Sequence, residues 1–211
     1  MPTVTNIAPD PRQPDHRLIE VDRGRFASLP VETVVDLGLT VGQDVDARTL
    51  ARLSKLADAA AAHRAGLRAL ARRPFAVREL RRKLLQRQHP AAAVDAAIDR
   101  LSAAGLVDDA RYAQEWVAAK LTRGRGPARL LRDLQAQGVE RRLAEDTVRD
   151  AMKEEGVDPI EAARAAAQQR APALRALPPD VGRRRLAAFL LRRGFGGPHL
   201  ADVVREALSG S

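Results

Sequence analysis

A threefold internal repeat constrains the fold of this chain more than any other feature. Leu80, Leu130 and Leu186 fall into one register, as do Leu84, Leu134 and Leu190. Gln88, Gly138 and Gly194 then stand at corresponding helix ends, and Ile98, Val148 and Val204 align beyond them. The intervals are 50 residues from Leu80 to Leu130 and 56 from Leu130 to Leu186, and the stretch with Pro172, Pro178 and Pro179 has room for the difference. Each repeat reads as three helices whose apolar stripe is too narrow to fold alone and which gain stability by docking on their neighbours. Three-helix packing also recurs in any Ala- and Leu-rich helical chain, but chance aligns two leucines far more readily than the whole series. The expected fold is mainly α: an elongated tandem array of three-helix repeats that bends at its joints.

Helix punctuation divides the chain. Residues 1–14 hold Pro2, Pro9, Pro11 and Pro14 among polar neighbours, and are expected to form a disordered tail. Residues 15–47 are expected to form a small β-containing N-terminal segment. There Leu18, Ile19 and Val21, the turn signal Asp22-Arg23-Gly24 and Phe26 suggest a hairpin, while Val31 to Val45 leaves strand and helix both open. From Asp46, a suitable helix cap, Leu50, Leu53, Leu56, Ala60, Leu67 and Leu70 mark a long helix interrupted only by Gly66 and ending near Arg73-Pro74. The helical units are placed at 48–107, 108–157 and 158–211. Pro90 fits a first helical turn, Gly105 a helix stop and Asp108-Asp109 the next start. Gly126-Pro127 and Asp158-Pro159, the latter with Glu161, open further helices, and Pro178-Pro179-Asp180 reset the chain before Leu186.

Charge narrows the partners. The 211 residues carry 36 Lys plus Arg against 27 Asp plus Glu, a net charge of +9, which calls for nucleic acid, a nucleoprotein or an anionic membrane surface. Arginine dominates the cations, as bidentate recognition of phosphate or carboxylate would require and as a GC-rich coding sequence would also produce. The cations cluster beside the middle helices. Arg72, Arg73, Arg78, Arg81, Arg82, Lys83 and Arg87 surround the first; Lys120, Arg123, Arg125, Arg129 and Arg132 the second; Arg183, Arg184, Arg185, Arg192 and Arg193 the third. A single such arginine is most simply a solvated helix face, whereas the threefold pattern points to a positive edge whose affinity for a polyanion falls with salt.

No catalytic or metal-binding constellation emerges. There is no cysteine, so thiolate metal sites and disulfides are excluded and a reducing cytoplasm is the expected home. The first 17 residues lack the apolar stretch of a secretory signal, and no later run is long enough to cross a bilayer. His16, His63, His89 and His199 are scattered, without the spacing that puts two ligands on one helix face, and read as surface or capping residues. Gly124-Arg125-Gly126 is too short to cradle a nucleotide, and Ser28, Ser54, Ser102, Ser209 and Ser211 show no nucleophile elbow. Asp108-Asp109 has metal-binding chemistry, but helix capping explains the pair more cheaply. Trp116 and Tyr112, one turn apart beside Ala113, Val117 and Leu121, suit a core better than a base-stacking platform.

With the repeat established, the sequence resembles the RecX family of bacterial regulators of the RecA recombinase. The resemblance rests on Arg73 to Leu85 (RPFAVRELRRKLL), Gly105 to Ala113 (GLVDDARYA), Gly126 to Val139 (GPARLLRDLQAQGV) and Leu190 to Phe195 (LLRRGF), spanning residues 65–208. It implies tandem three-helix units, no catalytic activity, and binding along the groove of the RecA filament on single-stranded DNA. It further implies inhibition of filament growth, ATP hydrolysis and strand exchange. The implied partners are the RecA filament and single-stranded DNA, with double-stranded DNA a second candidate; no membrane or cofactor is implied, and a monomer is expected. Net charge alone supports an alternative, a sequence-independent DNA-binding helical protein. One departure stands out: where the family usually carries Ser before the Glu-Leu of the first unit, giving a capping box, this chain has Ala76 with Glu79.

Overall fold

A computed structural model describes residues 1–121 and 123–209; Ser211, with the end of the third helical unit, lies outside them. Among the described residues the chain forms strands β1 (Val4–Asp10), β2 (Gln13–Val21) and β3 (Gly24–Pro30), then ten α-helices. These are α1 (Val31–Asp36), α2 (Ala47–Leu70), α3 (Val77–Gln86), α4 (Ala91–Ala103), α5 (Asp109–Leu121), α6 (Pro127–Gln137), α7 (Arg141–Glu154), α8 (Pro159–Arg170), α9 (Pro179–Arg193) and α10 (Leu200–Ser209). The fold is mainly α, three-helix domains behind a small sheet. Two compact units result: Met1–Pro74 with Glu79–Val107, and Phe75–Arg78 with Asp108–Ser211.

In the first unit the sheet is antiparallel in the order β1-β2-β3. Asp22 and Arg23 both take positive φ, +49° and +59°, the backbone that a two-residue hairpin turn demands. The loose tail expected at residues 1–14 is corrected: they form β1 and the start of β2. Val4 is fully buried, and the Val4 amide and carbonyl bond to Gln43 O and Gly42 N at 2.9 and 2.8 Å, so long-range pairing orders this end. Pro9 sits on the edge strand, where a missing amide donor costs no ladder bond. Asp10, 2 % exposed, accepts from Ser28 Oγ at 2.7 Å and from the Arg12 amide at 3.0 Å.

The apolar face of the sheet, Val4, Ile19 and Leu29, packs into one cluster with Val34 of α1, Val45 of the following loop and Leu53 of α2. Asp46 caps α2, accepting from the Thr49 amide at 2.7 Å. Gly66 interrupts the stripe without breaking the helix, and it faces α4, where a Cβ would meet Leu101 Cδ1 at 2.6 Å. Small residues thus let α2 and α4 approach closely, with Ala62, Ala93 and Ala97 between them. The sequence reads His16 as a surface or capping residue; in the structure it is half-buried and its Nε2 accepts from Arg64 Nη1 at 3.0 Å. Pro90 is the N-cap of α4 rather than a residue of its first turn.

The repeat register is written into the backbone. Leu80, Leu130, Leu186, Leu84, Leu134 and Leu190 are all fully buried. Gln88, Gly138 and Gly194 have φ of +65°, +97° and +92°. Their amides bond to the carbonyls of Leu85, Gln135 and Leu191, and the next amides, of His89, Val139 and Phe195, reach back to Leu84, Leu134 and Leu190 at 3.1–3.4 Å in the first two and 2.9 Å in the third. Each middle helix therefore ends in the same left-handed double-bonded cap.

The second unit holds two bundles. Leu130, Leu134, Val139, Ala144 and Val148 share one core with Tyr112 and Val117, and Ala76 from the preceding segment joins it. Leu186, Leu190, Phe195, Val203 and Val204 share the other with Ala163 and Ala167. The two bundles are joined through glycine: a Cβ on Gly194 would lie 2.3 Å from the Arg129 amide nitrogen, and one on Gly126 would lie 2.5 Å from the Gly194 carbonyl. The Gly126 and Ala128 amides donate to Arg193 O at 2.8 Å and Gly194 O at 3.2 Å. The bending joint expected from the sequence is, between these bundles, a backbone-to-backbone contact with no room for a side chain.

Candidate partner-binding surface

The helix that carries most of the middle cluster, α6, starts at Gly126 with Pro127 in its first turn, a fixed φ that needs no amide donor. Leu130 and Leu134 face the core with Leu131 packed beside them, which turns Arg132 outward and leaves Arg129 and Asp133 half-buried along the flank of the helix. Asp133 accepts from Arg125 Nη1 at 2.6 Å and from Arg129 Nε at 2.9 Å, with its own side chain only 18 % exposed. The carboxylate thus fixes two guanidinium groups side by side, leaving their remaining donors directed elsewhere. Trp116 of α5 is half-buried, with Lys120 Nζ and Arg125 Cζ at 5.8 and 5.9 Å from its ring centroid. Tyr112 is buried. Arg123 and Arg132 are exposed, and among the described residues neither forms an ion pair.

In the third bundle, Arg193 belongs to the frame. Its Nη2 donates to the carbonyls of Arg123 at 3.1 Å and Gly124 at 2.8 Å, and its guanidinium lies 5.5 Å from the Phe189 ring. It ties the turn before α6 to the end of α9. Arg183 pairs with Asp180, while Arg184, Arg185 and Arg192 are exposed on α9. In the first helical region Arg73 forms a two-pronged pair with Glu79, at 2.6 and 3.1 Å. Arg81 bonds to Asp95 at 2.7 Å, which pushes its guanidinium pKa still higher. Arg72 and Arg82 are exposed and Lys83 is half-buried. Arg78 lies against Gly138, its Cβ 2.5 Å from where a glycine Cβ would stand.

Position by position, the clusters match less closely than the leucines. Arg82 and Arg132 share a register position that Ala188 fills in the third repeat, and Arg129 and Arg185 share one that Glu79 fills in the first. Asp108 and Asp109 are caps: Asp108 Oδ1 accepts from the amides of Ala110 and Arg111 at 2.8 and 3.1 Å, and Asp109 Oδ1 from the Val77 amide at 2.8 Å. Sequence spacing missed a further group of cations, Arg164, Arg175 and Arg205, which come from α8, the segment before α9 and α10 and line a common cavity.

Known proteins share this arrangement. Family models described as the first, second and third three-helix domains of RecX match residues 62–101, 108–148 and 157–208. A protein of Halorhodospira halophila named "Regulatory protein RecX" is 37% identical over 144 residues, covering 68% of this chain and 83% of its own. One of Thermobifida fusca with the same name is 38% identical over 145 residues, covering 67% of this chain and 76% of its own. A crystal structure of regulatory protein RecX superposes over 100% of both chains with a TM-score of 0.74 at 19% identity. That of RecX from Lactobacillus salivarius covers 72% of this chain and 97% of its own, with a TM-score of 0.60 at 20% identity, a likeness of fold. No described helix is long and apolar enough to cross a membrane. Three matched domains in family order, on a chain whose caps and core repeat in the same register, place it: the chain belongs to the RecX family of regulatory proteins.

Proposed function

We propose that this protein is a regulator of the RecA recombinase that docks in the groove of the RecA filament on single-stranded DNA. There it limits filament extension, ATP hydrolysis and strand exchange in the cytoplasm, acting as a monomer without catalysis of its own. The observation that carries this reading is the presence, in family order, of all three RecX three-helix domains across residues 62–208. Exposed arginines on α6 and α9 support it, because a polyanionic nucleoprotein presents phosphates and carboxylates that a guanidinium fork can bridge.

The test is RecA's DNA-dependent ATPase with the purified protein added at low molar ratio. Progressive loss of hydrolysis is expected, and a rate that stays constant across ratios sinks the proposal. A sequence-independent DNA binder, the other reading of the charge, would bind naked DNA as tightly as it binds the assembled filament. The filament reading requires tighter binding to the nucleoprotein than to either component.

A further inference from the structure

The third bundle carries two adjoining cavities that the recombinase reading does not use. One, of about 500 Å³, is lined by Arg164, Gln168, Arg175, Arg205 and Glu206 among others. The other, of about 320 Å³, is lined by Leu174, Leu177, Gly182, Arg183 and Leu208, and shares Arg175, Arg205 and Ser209 with the first. A groove with an apolar half and a guanidinium rim results, and all of it lies within one unit.

The second bundle shows what fills the corresponding place there. Gly126 stands four residues before Leu130, as Gly182 stands four before Leu186. At Gly126 the position of a Cβ is 2.8 Å from Cδ1 of Phe195, so an aromatic ring from the next repeat closes that end of the bundle. At Gly182 the neighbours are Leu174 O at 3.2 Å and Leu208 Cδ1 at 3.8 Å, with the smaller cavity beside them. The backbone differs too. The Gly126 amide donates to Arg193 O, whereas α9 begins a turn earlier in the register and the Gly182 amide bonds to Pro178 O at 2.9 Å. An occupant of the third bundle therefore meets side chains rather than free amides.

Those side chains specify its chemistry. Arg175 Nη2 donates to Ala207 O at 3.0 Å, and among the described residues no carboxylate pairs with Arg175. Arg183, Arg205 and Arg164 pair with Asp180, Asp202 and Glu161, whose side chains are 91%, 51% and 63% exposed, and Arg164 pairs also with Glu206 of the cavity wall at 3.2 Å, itself 54% exposed, so the proposed carboxylate contacts fall to Arg175, Arg183 and Arg205. Such solvated pairs are weak, and each guanidinium retains further donors for an incoming carboxylate. Among the described residues no aromatic side chain lines either cavity, so a base has nothing there to stack on. The geometry points to a docking site for an acidic peptide segment of a partner protein, with one large apolar side chain seated between Leu174, Leu177 and Leu208 and flanking carboxylates on Arg175, Arg183 and Arg205. This site stands apart from the recombinase reading and is tested without RecA.

The experiment titrates the full-length protein into a fluorescein-labelled peptide Glu-Asp-Phe-Glu-Asp and reads anisotropy. Saturable binding is expected, weakened at least fivefold by Ala in place of the Phe and abolished by Lys in place of the acids. Arg175→Glu and Arg183→Glu, each checked for unchanged helical content by circular dichroism, are both expected to weaken it at least fivefold. Arg149→Glu, the same charge change on the exposed face of α7, is expected to shift it less than twofold. Absence of saturable binding, or equal weakening by Arg149→Glu, overturns the site. So does a labelled oligothymidylate whose binding, rather than the peptide's, depends on Arg175 and Arg183.

Discussion

The carboxylate of Asp109 accepts a hydrogen bond from the backbone amide of Val77, 2.8 Å away and 32 residues earlier in the chain. Val77 is the first residue of α3, where the chain carries Ala76 in place of a residue able to cap locally. The cap is thus supplied from the start of α5, while Asp108 caps α5 itself, and Ala76 is freed to be fully buried in the second core. Asp109→Ala should cost about 1 kcal/mol, the usual loss for a helix cap, and raise hydrogen exchange at the Val77 amide. Asp109→Asn retains an acceptor and should cost less. A urea midpoint unmoved by Asp109→Ala would show that water replaces the carboxylate without penalty.

The three left-handed caps are not equivalent. Gly194 needs its glycine twice, for φ of +92° and because a Cβ would strike the Arg129 backbone at 2.3 Å. Gln88 holds the same backbone shape at +65° with a side chain exposed to solvent. Gly194→Ala should therefore destabilise the second unit by about 2–3 kcal/mol, strain and steric conflict together. Gln88→Gly should change stability by less than about 1 kcal/mol, because relief of strain is offset by added chain entropy. Thermal melts of the two variants decide it, and similar midpoints for both would contradict the tight joint.

What the sequence disclosed followed from local physics. The aligned leucines, the proline-opened helices and the glycine stops were legible because periodicity and capping act within a turn or two. The N-terminal strand was not. Pro9 and Pro11 look like disorder until the distant partners of β1, Arg17 to Val21 and the Gly42 to Val45 segment, are known. The same limit governs the surface. Clustering found Lys120, Arg125 and Arg129, but not that Asp133 would hold two of these arginines, nor that Arg193 would turn inward to backbone carbonyls. Arg164, Arg175 and Arg205 converge from separate elements and leave no trace in spacing.

Acid should loosen the first unit. Burial, then Arg64, pushes the His16 pKa below its usual 6.5, outweighing the smaller upward pull of Asp10 and Asp15. Burial, then Arg100 and Arg64, pushes His63 below the same value. Both folded-state values are depressed, so the unfolded chain takes up protons first as pH falls. Their contribution to stability is present above about pH 6.5 and is lost as pH drops through the depressed values. Protonated His16 also has no lone pair for the Arg64 N–H. The melting temperature should fall more between pH 7.5 and 5.0 in the natural chain than in a His16→Asn, His63→Asn double variant. An identical fall in both assigns the sensitivity to other groups.

On α6, Arg129 and Arg132 are neighbours with different neighbourhoods, and they separate binding from stability. Arg129 donates to Asp133, a carboxylate with only 18 % of its side chain exposed, so Arg129→Glu sets two acids together at a poorly solvated point. A loss of about 1 kcal/mol of stability is expected there, alongside any loss of partner binding. Arg132 is exposed and outside the ion pairs among the described residues, so Arg132→Glu should leave the melt unchanged within about 0.5 kcal/mol. If α6 faces the filament, Arg132→Glu weakens inhibition of RecA's ATPase severalfold at unchanged helical content, and the double reversal weakens it further. Raising salt should shrink the gap between the natural chain and Arg132→Glu, because screening acts on a solvated charge pair. Full inhibition by a folded Arg132→Glu protein would remove α6 from the contact surface and leave the exposed arginines of α9 as the next cations to reverse.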